Sequence, residues 1–195
     1  MEGLIALASG LGLAMASGLN PYLPLLTIGI FARLGWIQLA APFDLLTNVF
    51  VLLIIAALAA LDFVGDKAPV VDSVLHAAGL IITPIAGAIL ALASQGDVAV
   101  VNPVIVAVAG LIVAGSTHLT RSAVRPVVTT ATAGTANPVL SFIEDATSLF
   151  LSIVAIVLPI LALLLVVALV VLAVQFFRRT ARVWNRDRAS VNGRK

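Results

Sequence analysis

The stretch ASGLNPYLPLL, residues 16–26, places an Asn-Pro pair inside an apolar run that is long enough to cross a membrane. Asn is a favoured helix N-cap, and Pro is favoured at the first helical position, where its missing N–H costs nothing. Asn20-Pro21 therefore predicts a new helix after a break, with Ser17 and Gly18 supplying a hydroxyl and a flexible backbone before it. Backbone that is broken at membrane depth survives only where it is buried in protein or lines a wet cavity.

The alternative is that Asn-Pro simply starts a helix at the membrane surface. That interpretation is favoured for Asn102-Pro103, which lies beside a polar turn. It fits Asn20 less well, because sixteen mostly apolar residues lie between the early Glu2-Gly3 and this asparagine.

Composition predicts an all-α, polytopic integral membrane protein. Of the 195 residues, 62% are hydrophobic and 10% are charged, with a mean hydropathy of +1.19. Soluble domains are closer to half apolar and a quarter charged. The absence of cysteine excludes thiol redox chemistry and Cys-ligated clusters, and two histidines argue against a His-rich metal site. We expect neither a metal nor a cofactor.

The apolar runs predict about six transmembrane helices, since a span needs about 20 apolar residues. The predicted spans are 3–34, 43–63, 73–94, 98–118, 138–157 and 159–178. Pro159 divides the last two, because a single helix over both would be about 50 Å long against an apolar core of about 30 Å. Residues 1–178 are therefore interpreted as one transmembrane domain and residues 179–195 as a basic tail.

The distribution of basic residues predicts the orientation. With six spans, one side receives Lys67, Arg121, Arg125 and seven basic residues of the tail, and the other side receives only Arg33. The positive-inside rule then predicts a multi-pass protein of the cell (inner) membrane with both termini in the cytoplasm. The tail is interpreted as a stop signal that contacts anionic lipid, and we expect no nucleic acid partner.

The Asn-Pro pair recurs in a similar stretch, AGTANPVLSFI, residues 133–143. The spacing between Asn20 and Asn137 also separates Pro42 from Pro159, which indicates a weak internal repeat of 20–63 in 137–180. If both copies run in the same direction, the repeat is a parallel one. The polar segment 125–136 is interpreted as partly re-entrant.

Half-helix N-termini at membrane depth present free N–H groups and positive dipole ends, which is a common way to build a transporter site. The site residues predicted on this basis are Ser17, Gly18, Asn20, Thr132, Thr135, Asn137, Ser141 and Glu144.

Two adjacent carboxylates, Glu144 and Asp145, lie two turns into the helix that starts at Asn137, where a charge is costly. Helical spacing puts Glu144 on the same face as Ser141, so we expect Glu144 to face the interior and Asp145 to meet Arg121 or Arg125. On this hypothesis Glu144→Gln leaves folding intact and alters transport, whereas Asp145→Asn costs stability. The alternative is an interfacial pair with both acids bound to the arginines.

Other charged and small residues have structural interpretations. The loop 62–73 is predicted to be a cytoplasmic turn, and both histidines, His76 and His118, are predicted to be interfacial. The charges expected to support the site are Asp66, Lys67, Asp72, Arg121, Arg125 and Asp145. A face of small residues is predicted to pack closely against another span or against a second copy in a homo-oligomer; it consists of Ala6, Gly10, Ala14 and Gly18.

Four blocks in order, SGLNPYLPLL, DKAPVVDS, TPIAGAILA and TANPVLSFIEDATS, resemble the bacterial membrane family known as domain of unknown function 4126. The resemblance covers nearly the whole chain. It implies that Asn20, Asp66, Lys67, Asp72, Asn137, Glu144 and Asp145 are family-motif positions. It implies no activity.

We therefore hypothesise a small transporter or channel for an ion or small solute. The alternatives are a non-transporting scaffold, assembly factor or lipid-binding protein and, least favoured, an intramembrane lipid-modifying enzyme. No nucleophile–base or metal arrangement supports the enzyme.

Overall fold

The computed structural model is all-helical over the residues that it describes, which are 1–65, 69–96, 101–172 and 175. Its helices are α1 Glu2–Ser17, α2 Tyr22–Arg33, a short 3-10 helix Phe43–Thr47, α3 Val49–Gly65, α4 Pro69–Ala93, α5 Pro103–Thr132, α6 Asn137–Val157 and α7 Pro159–Leu172. Asp66, Lys67, the tail 179–195 and the side chains of Asp72 and His76 lie outside the described residues.

The first two helices form a hairpin whose apex is residues 18–21. Gly10 of α1 packs on Ala91, near the end of α4. The chain that follows α2 returns to this same end of α4, where the Ala40 N–H donates to the Ala93 carbonyl at 2.9 Å. The two arms therefore start and finish at one end of the bundle. The predicted break at Asn20-Pro21 is present, but the prediction that 3–34 crosses in one direction is wrong, because the chain turns back at the break.

The remaining helices alternate in direction. α3 returns to the level of the apex, α4 runs back, α5 runs forward, and a turn at 133–136 leads into α6. We call the end that holds residues 34–48 the α2–α3 end, and the end that holds the turn 133–136 the α5–α6 end. α6 ends at Val157, and Leu158 has a non-helical backbone with φ −129° and ψ 63°. The residue before a proline is disfavoured in the helical region, and α7 starts at Pro159 as predicted.

Local capping explains where two of these helices begin. The Asn20 Oδ1 accepts from the N–H groups of Tyr22 and Leu23 at 2.9 and 3.2 Å, so this asparagine caps α2 as predicted. Asn102 caps α5 in the same way through Val104 N–H, at an exposed position. Both asparagines satisfy N–H groups that a helix start leaves without a partner.

Asn137 behaves differently: α6 starts at this residue as predicted, but its side chain does not cap the helix. Its side-chain Oδ1 accepts from the Thr129 hydroxyl at 3.0 Å, and its own N–H donates to the Gly134 carbonyl. The turn before it is built by Ala133 and Gly134, whose φ values of 48° and 81° reverse the chain. The turn therefore brings the Asn137 side chain to Thr129 of α5, and it does not cap the N–H groups of the first turn of α6.

The polar segment 125–136 is not re-entrant. α5 continues through Arg125 and Pro126 to Thr132, so only residues 133–136 form a turn. His118 consequently lies in the middle of a helix and is 2% exposed, which makes the prediction of an interfacial histidine wrong.

The two segments of the weak repeat share direction but differ in detail. α2 and α6 both run from their Asn-Pro pair towards the α2–α3 end, as a parallel repeat requires. α2 has 12 residues and α6 has 21, and Pro42 precedes a 3-10 helix whereas Pro159 begins α7. The repeat itself stays a prediction.

The face of small residues on α1 packs inside the chain. A Cβ added at Gly10 would lie 3.0 Å from the Ala91 carbonyl oxygen, and one at Gly18 would overlap Thr117 of α5. Ala14, between them, is fully buried. These contacts with α4 and α5 occupy the face that was considered for a homo-oligomer.

The outer surface of the bundle is apolar. Large side chains such as Phe50, Ile81 and Val104 are 68–76% exposed, and similar residues cover the outward faces of α3 to α7. Soluble monomers rarely expose apolar surface on this scale. Among the described helices, α5 and α6 are long and apolar enough to cross a bilayer.

Candidate functional site

Polar and charged side chains converge on the hairpin apex, inside the bundle. The break before α2 and the helices α3, α5 and α6 each contribute through hydrogen bonds at one level of the structure. We call this group the apex cluster; it consists of Asn20, Asp62, Arg121, Arg125, Glu144 and Asp145. Among the described residues, the cluster holds two arginines and three carboxylates.

Glu144 holds both arginines of the cluster. Arg121 and Arg125 are one turn apart on α5, so their side chains leave the same face. Arg121 Nε and Arg125 Nη2 donate to the same oxygen, Glu144 Oε2, at 2.8 and 2.6 Å. The three side chains are 7–12% exposed. These are short, charge-assisted bonds in an interior where electrostatic interactions are strong.

Arg121 also closes the break between α1 and α2. Its Nη1 donates to the carbonyl oxygen of Leu19, which lies beyond the last turn of α1. A carbonyl that is freed by a helix end needs a partner when it is buried. The arginine supplies that partner from α5, so the ion pair and the broken backbone are parts of one structure.

Asn20 connects three helices and is 1% exposed. Its Nδ2 donates to Asp62 Oδ2 of α3 at 3.1 Å and to Asp145 Oδ1 of α6 at 2.9 Å. Its Oδ1 meanwhile caps α2. An asparagine amide has two N–H donors and one oxygen, and here all of them are used.

The predicted inward face of α6 is confirmed, but the assignment of the arginines is wrong. Ser141 and Glu144 are both buried, at 4% and 8% exposure. The two arginines bind Glu144, whereas they were expected at Asp145, and Asp145 accepts from Asn20. Helical spacing shows which residues share a face, but the partner depends on which helix packs there.

A small cavity lies beside the cluster, between α2, α3, α4 and α5. Its volume is about 20 Å³, room for one water molecule. The side chains of its wall that carry polar groups are Tyr22, Asp62, Thr83, His118 and Arg121. Thr83 is 1% exposed, and among the described residues its hydroxyl has no hydrogen-bond partner.

Sequence reasoning missed Asp62, Thr83, His118 and Ser148. Asp62 was assigned to a loop, although it ends an otherwise apolar helical run, where a carboxylate is costly. Ser148 donates to the Ala16 carbonyl at 2.9 Å, and its spacing from Ser141 and Glu144 marked it as a member of the same face. Nothing in the sequence around Thr83 pointed to the cavity.

Several predicted site residues lie elsewhere or have structural roles. Asn137 lies eight residues before Asp145, which is about 12 Å along α6. The hydroxyls of Thr132 and Thr135 donate to backbone carbonyls in the last turn of α5, and the Ser17 hydroxyl donates to the carbonyl of Ala14. The structure therefore brings only the first Asn-Pro pair to the cluster.

Comparison with known proteins identifies a family. The family model described as "Domain of unknown function (DUF4126)" matches residues 7–179. Because this match covers most of the sequence, the chain belongs to that family. Neither a curated protein nor a solved structure matches it.

Proposed function

We propose that this DUF4126 protein is a multi-pass membrane transporter or channel that moves an ion or a small solute past the apex cluster. The observation that carries the proposal is the convergence of five charged side chains at a helix break, inside a bundle whose outer surface is apolar. Arg121, Arg125 and Glu144 are 7–12% exposed, and Asp62 and Asp145 are half-buried. Charges within a membrane are rare, face the protein interior and usually mark a pathway for ions or substrates.

The apolar exterior and the length of α5 and α6 support a position within a bilayer. In this arrangement α1 and α2 form a hairpin that enters and leaves at the α2–α3 end, and α3 to α7 cross the membrane. Broken backbone at the apex is compatible with membrane depth because it is buried in protein.

The hairpin changes the proposed topology. α7 runs towards the α5–α6 end, so the positive-inside rule places the basic tail, and that end, in the cytoplasm of the inner membrane. α1 begins at the opposite end. We therefore place the N-terminus outside the cytoplasm, which replaces the expectation that both termini are cytoplasmic.

The contacts of Asn20 disfavour an anion held by a free helix N-terminus. The N–H groups of Tyr22 and Leu23 already donate to the Asn20 Oδ1. Three of the six side chains in the cluster are carboxylates, which suit a cation or a neutral solute better than an anion.

Flux into liposomes tests the proposal. Purified protein is reconstituted, and uptake of H⁺, Na⁺, K⁺, Cl⁻ and small neutral solutes is compared with protein-free liposomes. Asp145→Asn keeps the shape and the acceptor for Asn20 while removing a charge, and we expect it to lower flux at least about tenfold, the equivalent of one charge-assisted bond. Asp44→Asn, at an exposed position, is the matched control.

A non-transporting scaffold is the second candidate, favoured by the internal bonding of the cluster and the small size of the cavity. In that case no solute crosses faster than in protein-free liposomes, with either the wild-type protein or Asp145→Asn. Lipid that stays bound through purification would favour this function over transport.

A further inference from the structure

We propose that the cavity between α2, α3, α4 and α5 binds one buried water molecule, which joins the Thr83 hydroxyl of α4 to the apex cluster. The proposal goes beyond the proposed function and does not depend on it, since a scaffold and a transporter can hold the same water. It rests on the hydroxyl of Thr83, the packing of the helices beside it, and the size and lining of the cavity.

Thr83 differs from other threonines in the described helices. The hydroxyls of Thr27, Thr117 and Thr129 each donate to the backbone carbonyl four residues earlier, at 2.7–3.0 Å. The Thr83 hydroxyl makes no such bond, although the residue is 1% exposed, and no other described residue is its partner. A buried hydroxyl without a hydrogen bond is costly, so we expect its partner inside the cavity that Thr83 lines.

Close packing of α4 on α5 fixes the position of Thr83. One turn before it, a Cβ added at Gly79 would lie 2.7 Å from His118 Cε1. One turn after it, a Cβ added at Gly87 would overlap Ala114. α4 therefore rests on α5 on both sides of Thr83, and the two helices cannot move closer at its level. A small molecule, rather than a side chain of α5, is needed to fill the gap beside the hydroxyl.

The size and lining of the cavity identify that molecule as water. About 20 Å³ accommodates one water molecule and no organic solute. Apolar cavities stay dry, whereas a buried water needs two to four polar partners. Besides Thr83, the described wall carries polar groups on four side chains, those of Tyr22, Asp62, His118 and Arg121.

Asp62 and Arg121 bring the apex cluster to the cavity wall. Both already bind other groups of the cluster, because Asp62 accepts from Asn20 and Arg121 donates to Glu144. A carboxylate offers about four acceptor sites and a guanidinium several N–H donors, so both can bind water in addition to these partners. The water therefore connects Thr83 of α4 to side chains of α3 and α5.

A crystal structure at a resolution that shows ordered water tests the site directly. In crystals grown from a lipidic mesophase, we expect one water within about 2.5–3.0 Å of the Thr83 Oγ1. Thr83→Val keeps the shape of the side chain and removes the hydroxyl, so it should lose this water, whereas Thr83→Ser should retain it. A wild-type cavity without water, a Thr83 hydroxyl that binds a protein group instead, or a water that persists in Thr83→Val overturns the proposal.

The melting temperature of Thr83→Val gives an independent test, because its sign depends on the water. If the hydroxyl binds water, its loss leaves the water short of a partner, and the melting temperature should fall by at least about 2 °C, the equivalent of one hydrogen bond. If the cavity is dry, valine replaces an unsatisfied buried hydroxyl, and the melting temperature is unchanged or rises. Either of these last results overturns the proposal.

The matched control is Thr117→Val. Thr117 is a buried threonine whose hydroxyl donates to the Val113 carbonyl, and it does not line the cavity. Its loss should lower the melting temperature less than Thr83→Val does, because bonds of this kind within a helix add little stability. A fall in Thr83→Val that is no larger than in Thr117→Val contradicts the bound water. Neither test uses solute flux, so a protein without transport activity can still confirm the site.

Discussion

Glu144→Gln tests whether Glu144 is the counter-ion of both buried arginines. Arg121 Nε and Arg125 Nη2 donate to one carboxylate oxygen at 2.8 and 2.6 Å, and the three side chains are 7–12% exposed. The glutamine keeps an oxygen at this position, so both hydrogen bonds can form in weaker, neutral form. The negative charge is lost, and two guanidinium groups then lack the carboxylate that they bind.

The expected cost follows from that geometry. Removing one partner of a buried ion pair costs about 3–5 kcal/mol, and the retained amide oxygen places this substitution near the lower figure. At about 2–4 °C per kcal/mol for a chain of this length, the melting temperature should fall by at least about 6 °C. Asp145→Asn should cost less, about 1 kcal/mol, because the new side chain still presents an oxygen to Asn20.

The assay is thermal unfolding of purified protein in one detergent, followed by circular dichroism. Glu2→Gln makes the same chemical change at an exposed residue and should leave the melting temperature unchanged. A Glu144→Gln protein as stable as wild type, together with a larger loss in Asp145→Asn, would refute this assignment of the arginines. That result would restore the expectation drawn from helical spacing alone.

Packing, capping and topology give three more tests. Gly18→Ala should lower the melting temperature, because the new Cβ would overlap Thr117. Gly115→Ala should preserve or raise it, because the new Cβ would lie 3.6 Å from its nearest neighbour. An equal fall in melting temperature in both variants would contradict the close packing. Asn20→Ala should lower the free energy of unfolding by about 3 kcal/mol and Asn137→Ala by about 1 kcal/mol. Asn20 makes four side-chain hydrogen bonds, whereas the described bond of Asn137 is with one threonine. Similar values for both variants in denaturant titrations would rule out a central role for Asn20. Reporters that work on one side of the membrane only, fused to the N-terminus and to the tail, should give opposite results, and the same result at both ends would contradict the hairpin.

Local chemistry accounts for what the sequence determined by itself. The apolar composition and the helical starts at Asn20, Asn102 and Pro159 were predictable, because capping and the geometry of proline act over a few residues. The inward face of α6 was predictable for a similar reason, since helical periodicity alone puts Ser141 and Glu144 on one side.

The tertiary structure decided how these local features combine. A capped helix start does not specify the direction of the new helix, and α2 turns back because the end of α4 holds both Gly10 and Ala40. The pairing of Arg121 with Glu144 joins residues that are 23 positions apart, and that of Asn20 with Asp145 joins residues 125 positions apart. The small residues at every fourth position of α1 predict a close approach of helix backbones, but no local pattern specifies which helix packs there.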